Sequence, residues 1–456
     1  MLQTMKPILL SLCALLLVLG ALPAGASTTG LSDARLQAAA TAACVTMSPS
    51  VPDPPDRCEV LGVLREPVAA DVAHYEIALA VGGGPYDEIA LHRVVREAAP
   101  GKVAASERAL MLAHGDTFPF EATFLSSTLV GTIQDDRSMA VFLAQGGVDV
   151  WGVDFRWTRV PAGVVDVSFM ADWGLTTDMR DLGIALAVAR SVRTLEGVHH
   201  GTGHDRLHLA GFSRGGHTGY AYLALETQLQ AGLRNVRGFI PLDTFLVTDD
   251  PQAQALACDR LADAQAQLAA GVVAQSNQII SLLGQLALAL PDQPSPLVPF
   301  LSNAQLLNLI GADIDPRLSP TFHRVGGVID FATLDTDLLF TQQEHWFAHN
   351  TGAAPWEPVR VPLEAEEVTC PEVDSPLDDY LAEIDVPVFY VGAAGGFGGA
   401  GLYNTTLLAS TDVSSKVIRR LSDAEPFRDY GHVDLFLADD AETEVWQPIL
   451  DWLLAH

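Results

Sequence analysis

The spacing of apolar positions changes character along the chain. His74–Gly82 and Glu88–Glu97 are strand-like runs, and the Gly- and Pro-containing segment Gly82–Asp87 between them is turn chemistry, which predicts a hairpin. Ala109–Ala113 (ALMLA) is a short continuous apolar run, the pattern of a strand covered on both faces. Alternation follows. Asp135–Gln145 reads as a helix, Val148–Phe155 as a strand and Thr176–Arg193 as an amphipathic helix carrying Met179, Leu182, Ile184, Leu186 and Val188. Arg206–Gly211 reads as a strand, Arg214–Gln228 as a helix and Val236–Leu242 as a strand. Val386–Val391 and Lys416–Leu421 are two further strands, and Glu442–Leu454 closes the chain as a helix. An antiparallel start followed by strand–helix alternation predicts an α/β fold, with a mostly parallel sheet and helices on both faces.

One interval breaks this rhythm. About 140 residues separate Asp243 from Val386, far more than an ordinary connection. Gln252–Val272 and Ala274–Leu290 within it read as helices. The second is very apolar (Ile279, Ile280, Leu282, Leu283, Leu286, Leu288, Leu290), yet it is too short for a membrane span and is interrupted by Asn277 and Gln285. The interval is expected to be an inserted helical cap whose apolar faces line an acyl pocket or touch a lipid surface.

The N-terminus has a different logic. Lys6 precedes an almost wholly apolar run, Pro7–Leu22, and Ala24-Gly25-Ala26 supplies small residues, so 1–26 reads as a secretory signal peptide. Cys44, Cys58, Cys258 and Cys370 would remain after cleavage, an even number suited to two disulfides in an exported chain. Of the three pairings, Cys44–Cys58, flanking a Pro-rich stretch, and Cys258–Cys370, bracketing the insertion, are preferred. Asp and Glu number 56 against 26 Lys and Arg, for a formal net charge of −30, and only Lys6, Lys102 and Lys416 are lysines. Such a field argues against nucleic acid and against electrostatic attraction to anionic headgroups. It also disfavours anionic substrates. His199-His200-Gly201-Thr202-Gly203-His204-Asp205 fits no standard metal-ligand spacing and reads as a loop.

The chemistry centres on Gly211-Phe212-Ser213-Arg214-Gly215, a G-x-S-x-G pattern between a buried-type strand and a helix rich in Ala and Leu. In that setting a serine is held in a strained turn above the sheet edge. Its hydroxyl needs a base, and the base needs an orienting acid. The expected chain order is Ser, acid, His. His432, between the last strand and the last helix, is the candidate base. Asp243, directly after Val236–Leu242, is the preferred acid, followed by Asp249 and Asp250. Two backbone N–H groups must hold the oxyanion, and those of Arg214 and Asp116 are the candidates. Asp116 lies in His114-Gly115-Asp116-Thr117, and its carboxylate would have to point away from the oxyanion; His114 reads as structural.

These residues resemble the α/β-hydrolase superfamily, and within it the acid lipases of the lysosomal and gastric type. The resemblance rests on His114-Gly115, Phe142–Trp151, Gly211–Gly215 and Gly431-His432-Val433-Asp434. That family carries its acid after the penultimate strand, where this chain has only glycines, alanines and a phenylalanine, Gly392–Gly398. The resemblance implies an α/β-hydrolase fold and a secreted serine carboxylic-ester hydrolase, an esterase or lipase without metal or organic cofactor. The expected organisation is a signal over 1–26, hydrolase core over 27–250 and 376–456, and a cap over 251–375. The expected substrate is a neutral, apolar small-molecule or lipid ester, met through a transient lipid-surface contact of the cap and with no protein partner. A secreted serine peptidase of the same fold and a catalytically inactive binding protein are the alternatives.

Overall fold

The structure, a computed structural model, describes residues 34–47, 50–51, 54–55, 57–131, 133–134, 136–197 and 203–456. Residues 1–26, read above as a signal peptide, and Asp135, His199 and His200 lie outside the described residues.

A mixed sheet of ten strands organises the chain. Its main strands are β1 (Glu59–Ala69), β2 (Val72–Ala80), β3 (Glu88–Ala99), β4 (Arg108–Ala113), β5 (Val148–Asp154), β6 (Leu207–Phe212), β7 (Val236–Leu242), β8 (Val388–Ala393) and β9 (Val413–Ile418). Their order is β1-β2-β3-β5-β4-β6-β7-β8-β9, with Lys102–Val103 pairing onto β3 as a short tenth strand. The first three strands and the β3–β5 pairing are antiparallel; from β5 to β9 every pairing is parallel. The predicted hairpin closes with Ala80 opposite Glu88.

The helices that cover the sheet or build the insertion include α1 (Ala34–Thr46), α2 (Met139–Gln145), α3 (Leu175–Leu195), α4 (Arg214–Glu226), α5 (Pro251–Ala269), α6 (Gln278–Ala289), α7 (Asn303–Ala312), α8 (Gln343–Thr351), α9 (Arg360–Thr369) and α10 (Gln447–Ala455). Side chains alternate across each strand, so the central sheet feeds two cores. Ala109, Met111 and Ala113 face one core with Leu36 of α1, Leu182 of α3 and Tyr220 of α4. Leu110 and Leu112 face the other with Leu143 of α2 and Leu453 of α10.

Several boundaries differ from the sequence reading. The helix expected from Asp135 begins at Met139, and α10 begins at Gln447 after a wider π turn over Glu442–Trp446. The stretch Ala274–Leu290 is broken at Asn277: Ala274–Ser276 is a short strand paired with Trp356–Pro358, and only Gln278–Ala289 is helical.

The insertion between β7 and β8 has a small core of its own, built from Ala257, Leu261 and Ala264 of α5 against Val359, Leu363 and Cys370. Both preferred disulfides are present, Cys44–Cys58 and Cys258–Cys370. The second joins α5, at the start of the insertion, to the residue after α9 at its end. No helix among the described residues is long and apolar enough to cross a membrane.

Candidate active site

β6 ends in the turn that carries Ser213. The serine has φ 52° and ψ −122°, a strained conformation for a residue with a side chain. The flanking glycines make the turn possible. A Cβ on Gly211 would lie 2.4 Å from the Gly215 carbonyl oxygen, and one on Gly215 would lie 2.3 Å from that of Ala113. The strand, the turn and the end of β4 therefore touch through bare backbone. The turn is tied down where the Ser213 N–H donates to the Leu242 carbonyl (3.0 Å) and the Thr244 hydroxyl donates to the Ser213 carbonyl (2.7 Å).

Asp243 follows β7 and is fully buried, with φ 40°. Its Oδ2 lies 2.6 Å from His432 Nδ1. Its Oδ1 accepts the N–H groups of Ala393 (2.9 Å), Phe397 (3.1 Å) and Gly398 (3.2 Å). The loop after β8, which supplies no carboxylate, thus supplies backbone donors to a carboxylate from the neighbouring strand. A Cβ at Gly396 would fall 1.9 Å from Asp243 Oδ2, so this position of the cradle has room for glycine alone. Asp250, a lower-ranked acid, instead caps α5, its carboxylate accepting from the Gln252 N–H at 2.8 Å; Asp249 is exposed beside it.

His432 is buried and boxed by aromatic rings, with Phe212 stacked on it at 4.4 Å, Phe322 at 5.0 Å and Phe397 edge-on at 5.4 Å. Its N–H donates to the His323 carbonyl (3.0 Å). Asp434 clamps the same loop, accepting from the N–H groups of Gly431 (2.6 Å) and Gly326 (2.7 Å) and from the Thr341 hydroxyl (2.6 Å). Burial nevertheless pushes the Asp434 carboxyl up to about 7, against the pull of those donors.

With Nδ1 held by Asp243, Nε2 of His432 is the nitrogen left for proton transfer. Ser213 and His432 open onto one cavity of about 430 Å³, together with Asp116 and Arg214. Neither the Arg214 nor the Asp116 backbone N–H donates to protein among the described residues. The Asp116 carboxylate pairs with the Arg214 guanidinium at 3.3 Å. His114 is buried, its Nδ1 2.8 Å from the Gly115 carbonyl oxygen, and burial lowers its pKa; this is a structural role.

Two features depart from the sequence reading. The apolar face of α6 lines no part of this cavity: Leu283, Leu286 and Ala287 are buried under the insertion, and Gly284 packs against the end of α8. The insertion lines the cavity instead with charged groups, among them Arg260, Asp263, Arg317, Arg324, Glu357 and Glu366, and with apolar ones from other elements, including Leu318, Phe322 and Trp346. Glu357 carries no signal in the sequence. It accepts from Thr117 Oγ1 (3.3 Å) and Asn277 Nδ2 (3.2 Å), and burial with Asp116 close by pushes its carboxyl up to about 8. Beside it the Ala354 N–H donates to the Thr117 carbonyl (2.7 Å), so the insertion grips the loop after β4 directly.

His74, His92 and Glu121 gather away from this cavity and could in principle ligate a metal. The two imidazoles are nearly coplanar (17°), with centroids 5.1 Å apart and His74 Nε2 2.9 Å from His92 Nδ1. Their nitrogens point at each other, as in a hydrogen bond, and do not converge on a shared ion.

No protein-family model matches the chain, and no curated protein is similar to it in sequence. Solved structures are similar in fold. A candidate lipase from Sulfolobus solfataricus is 19% identical, with 88% of this chain and 99% of that chain covered and a TM-score of 0.58. A monoglyceride lipase from Saccharomyces cerevisiae is 12% identical over 82% of this chain and 93% of that one, with a TM-score of 0.45. The epoxide hydrolase CorEH is 13% identical over 84% and 98%, with a TM-score of 0.40. The chain has the α/β-hydrolase fold.

Proposed function

We propose that this protein is a serine hydrolase that cleaves carboxylic esters through an acyl-enzyme. The observation that carries the reading is the Asp243 carboxylate, fixed by backbone donors and bonded to His432 Nδ1 at 2.6 Å, beside the cavity that holds the strained Ser213. Ser213 Oγ attacks the carbonyl carbon while His432 Nε2 takes its proton. The backbone N–H groups of Arg214 and Asp116 hold the oxyanion, and His432 returns the proton to the departing alkoxide. Water then enters by the same base catalysis and releases the acid. Asp243 orients the imidazole and stabilises its charged form.

Residues 251–375 act as a cap in this reading, which is supported by the polar side chains they contribute to the cavity that holds Ser213. An exported protein with its leader removed is supported by the sequence of 1–26 and the two disulfides. A peptidase of the same fold would use the same machinery. The absent carboxylate after β8 favours an inactive binding protein, and Asp243 weakens that argument by reaching His432 from β7.

Incubation with a fluorophosphonate probe and with p-nitrophenyl esters, alongside Ser213→Ala, tests the proposal. Labelling and ester turnover that both disappear in the variant are expected. Absence of Ser213-dependent labelling would overturn it, and turnover of peptides without esters would give preference to the peptidase.

A further inference from the structure

The cavity holds four arginines, and three have committed partners. Arg214 pairs with Asp116 and Glu366, Arg260 donates to Glu366 at 2.7 Å, and Arg317 grips Asp315 through Nε (3.0 Å) and a terminal nitrogen (2.9 Å). Arg324 differs. Its guanidinium makes no hydrogen bond among the described residues, and Asp315, already engaged by Arg317, is 3.9 Å away. That side chain is about one-third exposed, at 37%, and it lines the cavity. Five carboxylates also line the cavity (Asp116, Asp263, Asp315, Glu357 and Glu366), yet among the described residues Arg324 is the one arginine there whose guanidinium is hydrogen-bonded to none of them.

The backbone fixes where that charge sits. The Val433 N–H donates to the Arg324 carbonyl (2.8 Å) and the His432 N–H to the His323 carbonyl (3.0 Å), so this strip is zipped to the loop carrying the base. Phe322 of the same strip packs on the His432 ring. The base must hand its proton to the departing alkoxide, so the alcohol half of an ester lies on this side. We infer that the enzyme prefers esters whose alcohol part carries a carboxylate, with Arg324 as the specificity determinant. The inference rests on the ester-hydrolase reading above. It reverses, for this one wall, the expectation that the global charge disfavours anionic substrates, because a pair in contact outweighs distant charges screened by salt. The carboxylate itself is a spectator: the C–O ester bond breaks, Ser213 takes the acyl group, and the proton of Ser213 passes through His432 to the alkoxide.

Two matched pairs of esters separate the possibilities. 4-Acetoxyphenylacetate and 4-methylphenyl acetate share an acetyl group and have closely similar leaving groups, but only the first carries a carboxylate on the alcohol side. p-Nitrophenyl hemiglutarate and p-nitrophenyl valerate place the same difference on the acyl side. The wild-type chain is expected to prefer 4-acetoxyphenylacetate in kcat/KM. Arg324→Gln should lower that charged-to-neutral ratio by roughly 10–100-fold, the worth of a charge-assisted hydrogen bond. Arg324→Lys should restore part of it. Arg96→Gln, which removes an equal charge from an exposed ion pair with Asp71 on β3, should leave the ratio alone. An unchanged ratio in Arg324→Gln, with neutral esters still turned over, would overturn the inference and leave the hydrolase reading standing. A drop confined to the acyl-side pair would overturn it as well. Loss of all turnover and of Ser213 labelling in the wild-type chain would instead sink the reading beneath it.

Discussion

At the scale of single residues, the site is governed by backbone atoms as much as by side chains. Asp243 is held by three N–H donors from a loop of small residues, so its orientation does not depend on neighbouring side chains. Asp243→Asn keeps the volume but permits the wrong imidazole tautomer. In the proposed reaction it should lower kcat by roughly 10⁴-fold with little change in KM, measured on p-nitrophenyl acetate. Glu357 gives a pH signature. Its carboxyl is raised to about 8, so between its ordinary value of 4.5 and about 8 the folded chain keeps a proton that the unfolded chain has released. Stability therefore falls as pH rises through that window and is flat above it. Glu357→Gln removes this slope. The variant should gain on the wild type by up to about 5 kcal/mol across that window, read from urea unfolding at each pH. The G-x-S-x-G turn and His432 are legible in the sequence because sterics and chain order constrain them locally. Glu357, and the Asp434 clamp on the His432 loop, are not, since each acts through partners far along the chain, such as Thr117 for one and Thr341 for the other.

At the scale of elements, hydrophobic periodicity locates the parallel strands and the helices between them. It misses β1, where Gly62, Arg65, Glu66 and Pro67 sit on a half-exposed edge and hide the alternation. It also misses α1, whose buried face is narrow, with Leu36, Ala40 and Ala43 recurring at helical spacing. Periodicity does find α6, but its apolar face does not line the cavity that holds Ser213, because a periodic pattern reports an apolar face and not what it meets. The Cys258–Cys370 bridge closes a separation of 112 residues across the insertion. Replacing both cysteines with Ala should cost about 4–5 kcal/mol on the chain-entropy model. Limited proteolysis should then cut within 251–375 first, and a melting temperature equal to that of the wild type would contradict this.

At the scale of the whole molecule, 56 acidic groups against 26 basic ones make the surface self-repelling. Screening relieves that repulsion, so the melting temperature should rise as NaCl goes from roughly 10 mM to about 0.5 M, followed by calorimetry; a fall would mean that attractive ion pairs dominate. The sequence by itself determined the fold class, the candidate nucleophile and base, and an even set of cysteines suited to two disulfides, because each follows from local periodicity, steric need or compartment; which cysteines pair was settled in three dimensions. Only the tertiary structure decided that the loop after β8 cradles an acid from β7, and that the cavity holding Ser213 mixes aromatic rings with charged groups and includes an underpartnered arginine. Those facts arise where strands, loops and the insertion converge from segments far apart in the chain, and no local pattern encodes which side chains will meet there.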